Sequence, residues 1–344
     1  MKLEKHFNEL INKISLNNTR KERISSSLSH LSSFLKENEY LKDVLIDFYT
    51  QGSYAINTCI KPSNGNDFDV DSVLELNSIK LPEECQNPTD LINWISAQLK
   101  SDSTYESKVK KHNRCVRIDY EGDFHLDIVP SIPYGYDSKI IHVPDRNLES
   151  WILSNPKGYV EWCKAVKQNS NFSFSRIVKM LKYWRDSSFG KSSRPSSILF
   201  TTLIGQNFDQ NQSSTAETLI GTMNNIKSYL DLFDSRPVIS NPSLKSEDLA
   251  RDWADDNFTL FKNLLVSTIE NCKSAFQEED KEKCIDKWQK VFPDFPSKLP
   301  EEAIAINTAR KEGTLFVNPS GVLIIGSQGD KNMTRVLNHR NYGY

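Results

Sequence analysis

The 344-residue chain changes its pattern near Pro156, and this change constrains the fold more than any other feature. Between Val44 and Pro156 the sequence consists of short apolar runs broken by Gly, Pro, Asn and Asp. Four of these runs are strand candidates: 44–50, 68–76, 114–120 and 124–130. A helical periodicity at 89–100 separates the second candidate from the third. The pattern predicts a mixed sheet with helices.

The segments on either side of these strands read as helices. Residues 1–42 form an amphipathic spine, in which Thr19 and Glu22 fit a capping box ahead of apolar residues at helical spacing. After Pro156, helical runs follow at 159–167, 174–185, 197–208, 215–233, 244–277 and 280–291, and a hairpin follows at 314–325. We therefore predict two domains, a sheet domain with its N-terminal helix at 1–155 and a helical domain at 156–344 that ends in a hairpin and a flexible tail.

Composition excludes several classes of protein. The 43 Lys and Arg residues nearly balance 45 Asp and Glu residues, which argues against a surface that binds a polyanion throughout. No apolar run approaches the roughly 18 residues of a membrane span, and the first residues lack a secretory signal. The six cysteines form no Cys-x-x-Cys pair and the six histidines no His-x-x-x-His pair, so no zinc site is indicated. We expect a globular cytoplasmic protein with no membrane partner.

A glycine-serine turn follows the first strand candidate as Gln51-Gly52-Ser53-Tyr54. Glycine lets the backbone approach a ligand closely, and a helix start offers free N–H donors with a positive dipole. The junction therefore suits a phosphate group. Because glycine-serine turns are common in proteins, this signal alone is weak.

Acidic and apolar residues alternate at Asp67-Phe68-Asp69-Val70-Asp71. Side chains alternate across a strand, so the three carboxylates share one face. Two carboxylates about 4 Å apart repel by roughly 4 kcal/mol at an effective dielectric near 20. Either some of them are protonated or a cation lies between them. Mg²⁺ fits, because it prefers oxygen ligands and takes one or two carboxylates from the protein.

A further acid, Asp127, interrupts the apolar run Phe124–Pro130, where an unpaired carboxylate would be costly to bury. If this strand lies beside 68–76, Asp127 faces the same cations, which is the arrangement of a two-metal site for phosphoryl or nucleotidyl transfer. Two structural alternatives stay open. The acids at 67–71 could cap a strand, and Asp127 could pair with Arg117 or Lys139.

Together these motifs resemble the nucleotidyltransferase superfamily. More narrowly, the chain resembles the CD-NTases, which are the bacterial relatives of cyclic GMP-AMP synthase and 2′-5′-oligoadenylate synthase in cyclic-oligonucleotide anti-phage systems. The resemblance covers nearly the whole chain. Beyond the motifs above it rests on Trp151 and on segments 143–146, 155–159, 176–184 and 194–197.

The resemblance implies the fold class and the site. The expected fold is α+β: a polymerase-β-like mixed-sheet lobe with an N-terminal spine helix, packed on a helical oligoadenylate-synthase-like lobe. Ser53, with Gln51 and Gly52, would hold the donor triphosphate. Asp69, Asp71 and Asp127 would bind Mg²⁺, or Mn²⁺ in its place. Asp127 would also help deprotonate the attacking hydroxyl. Asp67 stays open as a ligand, since Asp67-x-Asp69 matches the pattern of the animal enzyme as well as Asp69-x-Asp71 matches that of bacterial members.

Two more residues are implied in the helical half. Lys182 precedes an aromatic pair on a helix, as a triphosphate-binding lysine does in the family, and Ser197 resembles a serine that meets the same phosphates. The structural alternatives are a solvated face, with Lys179, Lys182 and Tyr183 opposite the apolar stripe, and an ordinary helix N-cap at Ser197.

The implied activity is magnesium-dependent condensation of nucleoside triphosphates, ATP and a second one, into a cyclic di- or trinucleotide second messenger for anti-phage defence. The implied partners are regulatory proteins of the same defence system, with no requirement for duplex DNA. Two other functions stay open: a template-independent nucleotidyltransferase that tails RNA, and a nucleotide sensor without turnover. The slightly acidic charge balance disfavours the first, and the intact set of acids disfavours the second.

Overall fold

The N-terminal region forms two helices in the computed structural model, which describes residues 1–62, 68–85, 87–120, 124–135, 139–168, 174–319, 321–326 and 333–336. These helices are α1 (Glu4–Ile14) and α2 (Asn18–Glu37). The predicted spine helix is present as α2, but the helical stretch over 1–42 is divided in two. The first helix ends before Ser15, which is extended and forms a β-bridge with Ile60. The Asn17 side chain accepts a hydrogen bond from the Arg20 N–H at 2.9 Å, so Asn17 caps α2 instead of Thr19.

A mixed sheet follows, with seven strands in the described part of the chain. They are β1 (Leu45–Thr50), β2 (Phe68–Leu76), β3 (Val109–Lys111), β4 (Val116–Tyr120), β5 (Phe124–Pro133), β6 (Ile141–Asp145) and β7 (Ser150–Ser154). The main order is β1-β2-β5-β4-β3, while β6 pairs with β5 and β7. The β2–β5 pair is parallel and the others are antiparallel. The four predicted strands and the mixed sheet are confirmed.

One face of this sheet is covered by α2 and by α4 (Pro88–Lys100). The core between them contains apolar residues of both helices and of the central strands: Ile24, Leu31, Leu35, Val70, Leu74, Leu91, Ile95, Ile118 and Leu126. Because strand side chains alternate, Phe68, Val70, Leu74 and Leu76 of β2 face this core, while Asp69, Asp71 and Val73 face the other way. The acids therefore lie on the face of the sheet that α2 and α4 do not cover.

Helices dominate the second half of the chain. They are α5 (Pro156–Gln168), α6 (Phe174–Ser188), α7 (Ser197–Gln206), α8 (Thr215–Leu230), α9 (Asp255–Gln277), α10 (Lys281–Val291) and α11 (Pro300–Glu312). Short strands also occur, β8 (Ser240–Asn241) with β9 (Leu244–Asp248), and β10 (Leu315–Val317) with β11 (Leu323–Ile325) and β12 (Thr334–Arg335). The predicted final hairpin is confirmed.

The helix predicted from residue 244 is wrong at its beginning, where the chain forms the β8–β9 hairpin. Local side-chain bonds favour this conformation over a helix. Asp248 accepts hydrogen bonds from the N–H groups of Ile239 and Ala250, at 3.0 and 2.9 Å, and Asn241 accepts one from the N–H of Ser243 at 2.9 Å. The following helix begins at Asp255.

The N-terminal helix α1 packs into the core of the helical half. Phe7 is fully buried, and its ring meets those of Trp288 and Phe295 edge-on at centroid distances of 4.9 and 5.1 Å. The division into 1–155 and 156–344 stays a prediction, and α1 belongs to the core of the second segment. Among the described residues, no helix combines the length and apolar character needed to cross a membrane.

Replacing Phe7 with alanine tests this packing. The cavity and the lost aromatic contacts should lower the free energy of unfolding by about 3–5 kcal/mol, measured by urea denaturation. Asn8→Ala on the exposed side of the same helix is the matched control and should change it by less than about 0.5 kcal/mol. Equal effects of the two substitutions would contradict the packing of α1 in the core.

Candidate active site

The acids meet because of the strand register. Asp71 on β2 lies opposite Asp127 on β5 across the parallel pair, and Arg117 on β4 lies opposite Asp127 across the antiparallel pair. Asp69 lies two residues before Asp71 on the same face of β2. Asp71, Asp127 and Arg117 thus lie in a row across β2, β5 and β4, and Asp69 lies beside Asp71 on the same face.

Arg117 joins two of these carboxylates. Its Nε donates to Asp127 Oδ1 at 2.7 Å, and its Nη2 donates to Asp127 Oδ2 at 2.8 Å and to Asp69 Oδ1 at 2.9 Å. The alternative that Asp127 pairs with Arg117 is therefore confirmed, whereas Lys139 pairs with Glu161 instead. Since one guanidinium reaches both Asp69 and Asp127, these carboxylates lie close enough to share a cation.

The burial and mutual proximity of these carboxylates shift the pKa of Asp71. Its pKa is raised to about 6, first by burial and then by the charges of Asp127 and Asp69, against the opposing effects of Arg117 and Lys182. The cluster therefore holds more negative charge than Arg117 neutralises.

The glycine-serine turn is fixed directly against Asp71. The Gln51 N–H donates to the Asp71 carbonyl at 2.8 Å, and Gly52 begins the short helix α3 (Gly52–Ala55) with a left-handed φ of 62°. A Cβ at Gly52 would lie 2.5 Å from Asp71 Oδ2, so only glycine fits without movement. Ser53 is held by the Thr58 N–H, which donates to its carbonyl at 2.8 Å. The predicted phosphate turn and the predicted acids are neighbours.

The helical half supplies the facing wall. Lys182 on α6 is buried, with its Nζ 3.2 Å from Thr58 Oγ1, and burial lowers its pKa to about 8. Lys179 is buried as well, so the alternative of a solvated lysine face is wrong. Ser197 is the first residue of α7 and Ser196 is its N-cap, so the alternative of an N-cap at Ser197 is also wrong. Tyr183 donates to Asp294 at 2.7 Å.

Sequence reasoning missed Arg185. Its buried guanidinium donates through Nη1 to Ser197 Oγ and to the Pro195 carbonyl, both at 3.2 Å, and through Nε to Asp186 at 2.7 Å. Desolvation lowers its pKa. The available signal was a cation at every third position, Lys179, Lys182 and Arg185, which places the three along one side of α6.

These groups line one cleft of about 620 Å³, within the usual size of a small-molecule site. Its lining contains all but one of the described candidate residues: Gln51, Gly52, Ser53, Asp69, Asp71, Lys182 and Ser197. Asp127 is the exception, and both of its side-chain oxygens accept hydrogen bonds from Arg117. The cleft also takes in Arg114, Asn155, Asn241 and Glu247. Asp67 lies outside the described residues.

The donor set fits a hard divalent cation, since it offers only carboxylate oxygens and carries surplus negative charge. Within the part of the chain that the structure describes, no group of three or more His, Cys, Asp or Glu side chains is already arranged around a metal position. The hydrogen bonds of Arg117 to Asp69 and Asp127 give a physical reason, because they turn both carboxylates toward the guanidinium.

Comparison with known proteins decides the family. Residues 1–167 match the Second Messenger Oligonucleotide or Dinucleotide Synthetase domain. The chain is 30% identical to the c-di-GMP synthase of Roseivirga ehrenbergii, over 94% of this chain and 91% of that protein. The chain belongs to the CD-NTase family. It is therefore a nucleotidyltransferase, and the resemblance inferred from its motifs is confirmed.

Other members and solved structures agree. The Cyclic AMP-AMP-AMP synthase of an Acinetobacter species is 23% identical over 85% of this chain and 84% of its own. CdnC of E. coli MS115-1, solved with ATP, has a TM-score of 0.70 at 18% identity over 85% of this chain and 98% of its own. The same protein in a complex with HORMA-deltaN has a TM-score of 0.69 at 18% identity, over 85% of this chain and 97% of its own. The predicted polymerase-β-like fold of this CD-NTase is confirmed.

Gly52→Ala tests the contact between the turn and the acids of this CD-NTase. The left-handed backbone alone should cost about 1–2 kcal/mol of stability. The added Cβ should also displace Asp71, and a displacement near 1 Å can reduce turnover about 100-fold. Turnover is measured as pyrophosphate released from nucleoside triphosphates.

Gly135→Ala is the matched control, because Gly135 has φ of 77° and, apart from its chain neighbours, no atom of the described residues lies within 4 Å of an added Cβ. It should show the backbone cost without the loss of turnover. If both variants lost turnover equally, backbone strain would explain the effect and the contact with Asp71 would not.

Proposed function

We propose that this CD-NTase condenses ATP and a second nucleoside triphosphate into a cyclic di- or trinucleotide that serves as a second messenger in anti-phage defence. The observation that carries the proposal is the position of Gly52 against Asp71, with Asp69 and Asp127 joined by one guanidinium beside them. A turn suited to phosphate and a carboxylate set suited to metal thus border the same cleft.

Asp69, Asp71 and Asp127 would hold Mg²⁺, or Mn²⁺ in its place. Enzymes of this family generally use divalent metal ions. When bound, such ions polarise the α-phosphate and neutralise the charge that develops on the leaving pyrophosphate. The Asp127 carboxylate would accept the proton of the attacking ribose hydroxyl. Its side chain is 13% exposed, and Arg117 fixes its orientation through two hydrogen bonds.

The donor triphosphate would lie between the turn and α6. The N–H groups of Gly52 and Ser53 and the amide of Gln51 would contact its oxygens from the sheet side. Lys182 would contact them from the helical side, and Ser197 would be oriented by Arg185. The desolvation of both cations supports this role, since a buried cation gains more from an anionic ligand than an exposed one.

The names of the relatives support a cyclic product and differ in the bases used, so ring size and bases are questions for product analysis. The HORMA-deltaN complex of CdnC supports a protein regulator for this chain also. We propose that activity does not require duplex DNA, in keeping with the net charge of -2.

The double substitution Asp69→Asn with Asp71→Asn tests the metal site. It removes two anionic ligands while keeping side-chain size, so product formation from radiolabelled nucleotides with Mg²⁺ should fall at least about 1000-fold. Asp43→Asn, at an exposed position near β1, is a charge control and should retain full activity.

The same assay separates the other functions. A ladder of extended RNA in place of a cyclic product, when an RNA primer is supplied, would indicate a tailing enzyme. Tight nucleotide binding without released pyrophosphate would indicate a sensor. Full turnover by the double variant would remove the assigned role of Asp69 and Asp71.

The depressed pKa of Lys182 predicts two opposite pH dependences. The free protein loses the Lys182 proton near pH 8 and the unfolded chain near 10.5. Between these values the unfolded state binds more protons, so the contribution of Lys182 to the free energy of unfolding rises with pH. Triphosphate affinity should fall over the same interval, because the neutral amine no longer attracts the phosphates. Both are measured from pH 7 to 10, by urea denaturation and by titration calorimetry.

Lys182→Gln should bind the nucleotide about tenfold or more weakly at pH 7, and its affinity should change less between pH 7 and 10 than that of the unmodified protein. Lys191→Gln, at an exposed position after α6, is the control and should keep the original profile. An unchanged affinity and profile in Lys182→Gln would contradict the assignment.

A further inference from the structure

Arg117 lies where a cation is needed, among carboxylates that the proposed function assigns to metal. The geometry points to a role as an internal counter-cation: in the metal-free protein Arg117 holds Asp69 and Asp127, and it competes with the incoming metal ion for Asp69 while it keeps Asp127 in position. This inference rests on the proposed function, because it concerns the affinity of that metal site.

The two contacts of Arg117 are unequal. It binds Asp127 through two parallel hydrogen bonds of 2.7 and 2.8 Å, the geometry in which a guanidinium and a carboxylate match best. It binds Asp69 through one hydrogen bond of 2.9 Å. The Asp127 side chain is 13% exposed and that of Asp69 is 55% exposed. Since exposed single ion pairs are weak, the bond to Asp69 is the one that a metal ion displaces.

The bond to Asp127 is compatible with a bound metal ion. A carboxylate offers about four acceptor positions on its two oxygens, so Arg117 uses about half of them. Hydrogen bonding to Asp127 also raises the pKa of Arg117, so its charge is permanent. Arg117 is thus a positioning residue for Asp127, and it does not itself need to reach the substrate.

The neighbouring cations are engaged elsewhere. Lys110 lies opposite Arg117 on β3, but it pairs with Asp119. Arg114 pairs with Asp145, and Lys182 contacts Thr58 across the cleft. The ion pairs recorded for Asp69 and Asp127 within the described residues both come from Arg117.

A divalent ion at Asp69 and Asp71 would therefore enter a site that already contains one positive charge. The repulsion lowers metal affinity in the resting protein, and the guanidinium meanwhile limits the mutual repulsion of the carboxylates. Removal of Arg117 should have two opposite effects: tighter metal binding and lower stability without metal. A residue that only supports the fold would give lower stability with weaker metal binding.

The test uses the full chain with Mn²⁺ alone, without nucleotide. Arg117→Met removes the charge and keeps an unbranched side chain, Arg117→Lys keeps one charge without the bidentate geometry, and Lys110→Met is the matched control on the opposite strand. The Mn²⁺ dissociation constant is measured by electron paramagnetic resonance, and thermal unfolding is followed in EDTA and in Mn²⁺.

We expect Arg117→Met to bind Mn²⁺ about tenfold more tightly than the unmodified chain, from removal of one charge several ångströms from a divalent ion. The Mn²⁺ affinity of Arg117→Lys should lie between those of Arg117→Met and the unmodified chain, and that of Lys110→Met should equal that of the unmodified chain. In EDTA, Arg117→Met should unfold at a lower temperature, and Mn²⁺ should raise that temperature more than in the unmodified chain.

Equal or weaker Mn²⁺ binding by Arg117→Met, with binding intact in the unmodified chain, overturns the inference and leaves the proposed metal site standing. If Arg117→Met does not fold, the affinity of Arg117→Lys relative to the unmodified chain decides in the same way. An unmodified chain that binds no Mn²⁺ removes the metal site of the proposed function, and the inference falls with it.

Discussion

The parallel pairing of β2 with β5 places Asp71 directly opposite Asp127, and the site depends on that register. A shift by one residue would turn every side chain of one strand to the other face, so Asp69 and Asp71 would enter the core while Phe68 and Val70 faced the cleft. The burial of Val70, Leu74 and their partners under α2 and α4 therefore fixes the positions of the acids. The apolar residues on one face of β2 and β5 thus determine which side chains lie on the opposite face.

Collecting these acids raises an electrostatic problem, which the two walls of the cleft solve differently. On the sheet side Arg117 neutralises part of the charge, while burial and the remaining negative charge raise the pKa of Asp71 to about 6. On the helical side burial lowers the pKa values of Lys182 and Arg185. One wall is thus short of positive charge and the other of negative charge. The metal ion and triphosphate of the proposed function would supply both charges, which is why the cleft suits that pair of ligands.

Much of the sheet and of its acids could be predicted from sequence because the signals are local. Alternation in 68–76 gives both the strand and the shared face of Asp69 and Asp71, and Gly52 follows its strand directly. What sequence could not decide was the partner of each charge. It left both Arg117 and Lys139 open as partners of Asp127, and strand pairing selects Arg117. Arg185 reaches Ser197 by helix packing, a relation that no spacing in the chain indicates. The errors at 15–17 and 244–248 have a related cause, since a distant β-bridge and local side-chain bonds override helical periodicity.

The width of the cleft depends on the contacts between the sheet and the helices. The free energies expected for these contacts show which of them contributes most. Lys157 at the start of α5 pairs with Asp47 and Glu75 of the sheet, but its side chain is 36% exposed, and exposed ion pairs contribute about 0–1 kcal/mol each. Full burial of one large apolar side chain contributes about 1.5–3 kcal/mol, and α1 buries Phe7, Leu10 and Ile14 among the C-terminal helices. Ser15 then forms a β-bridge with Ile60, a few residues after the glycine-serine turn. The N-terminal helix therefore anchors the turn to the helical core, and this anchor acts before any ligand enters the cleft.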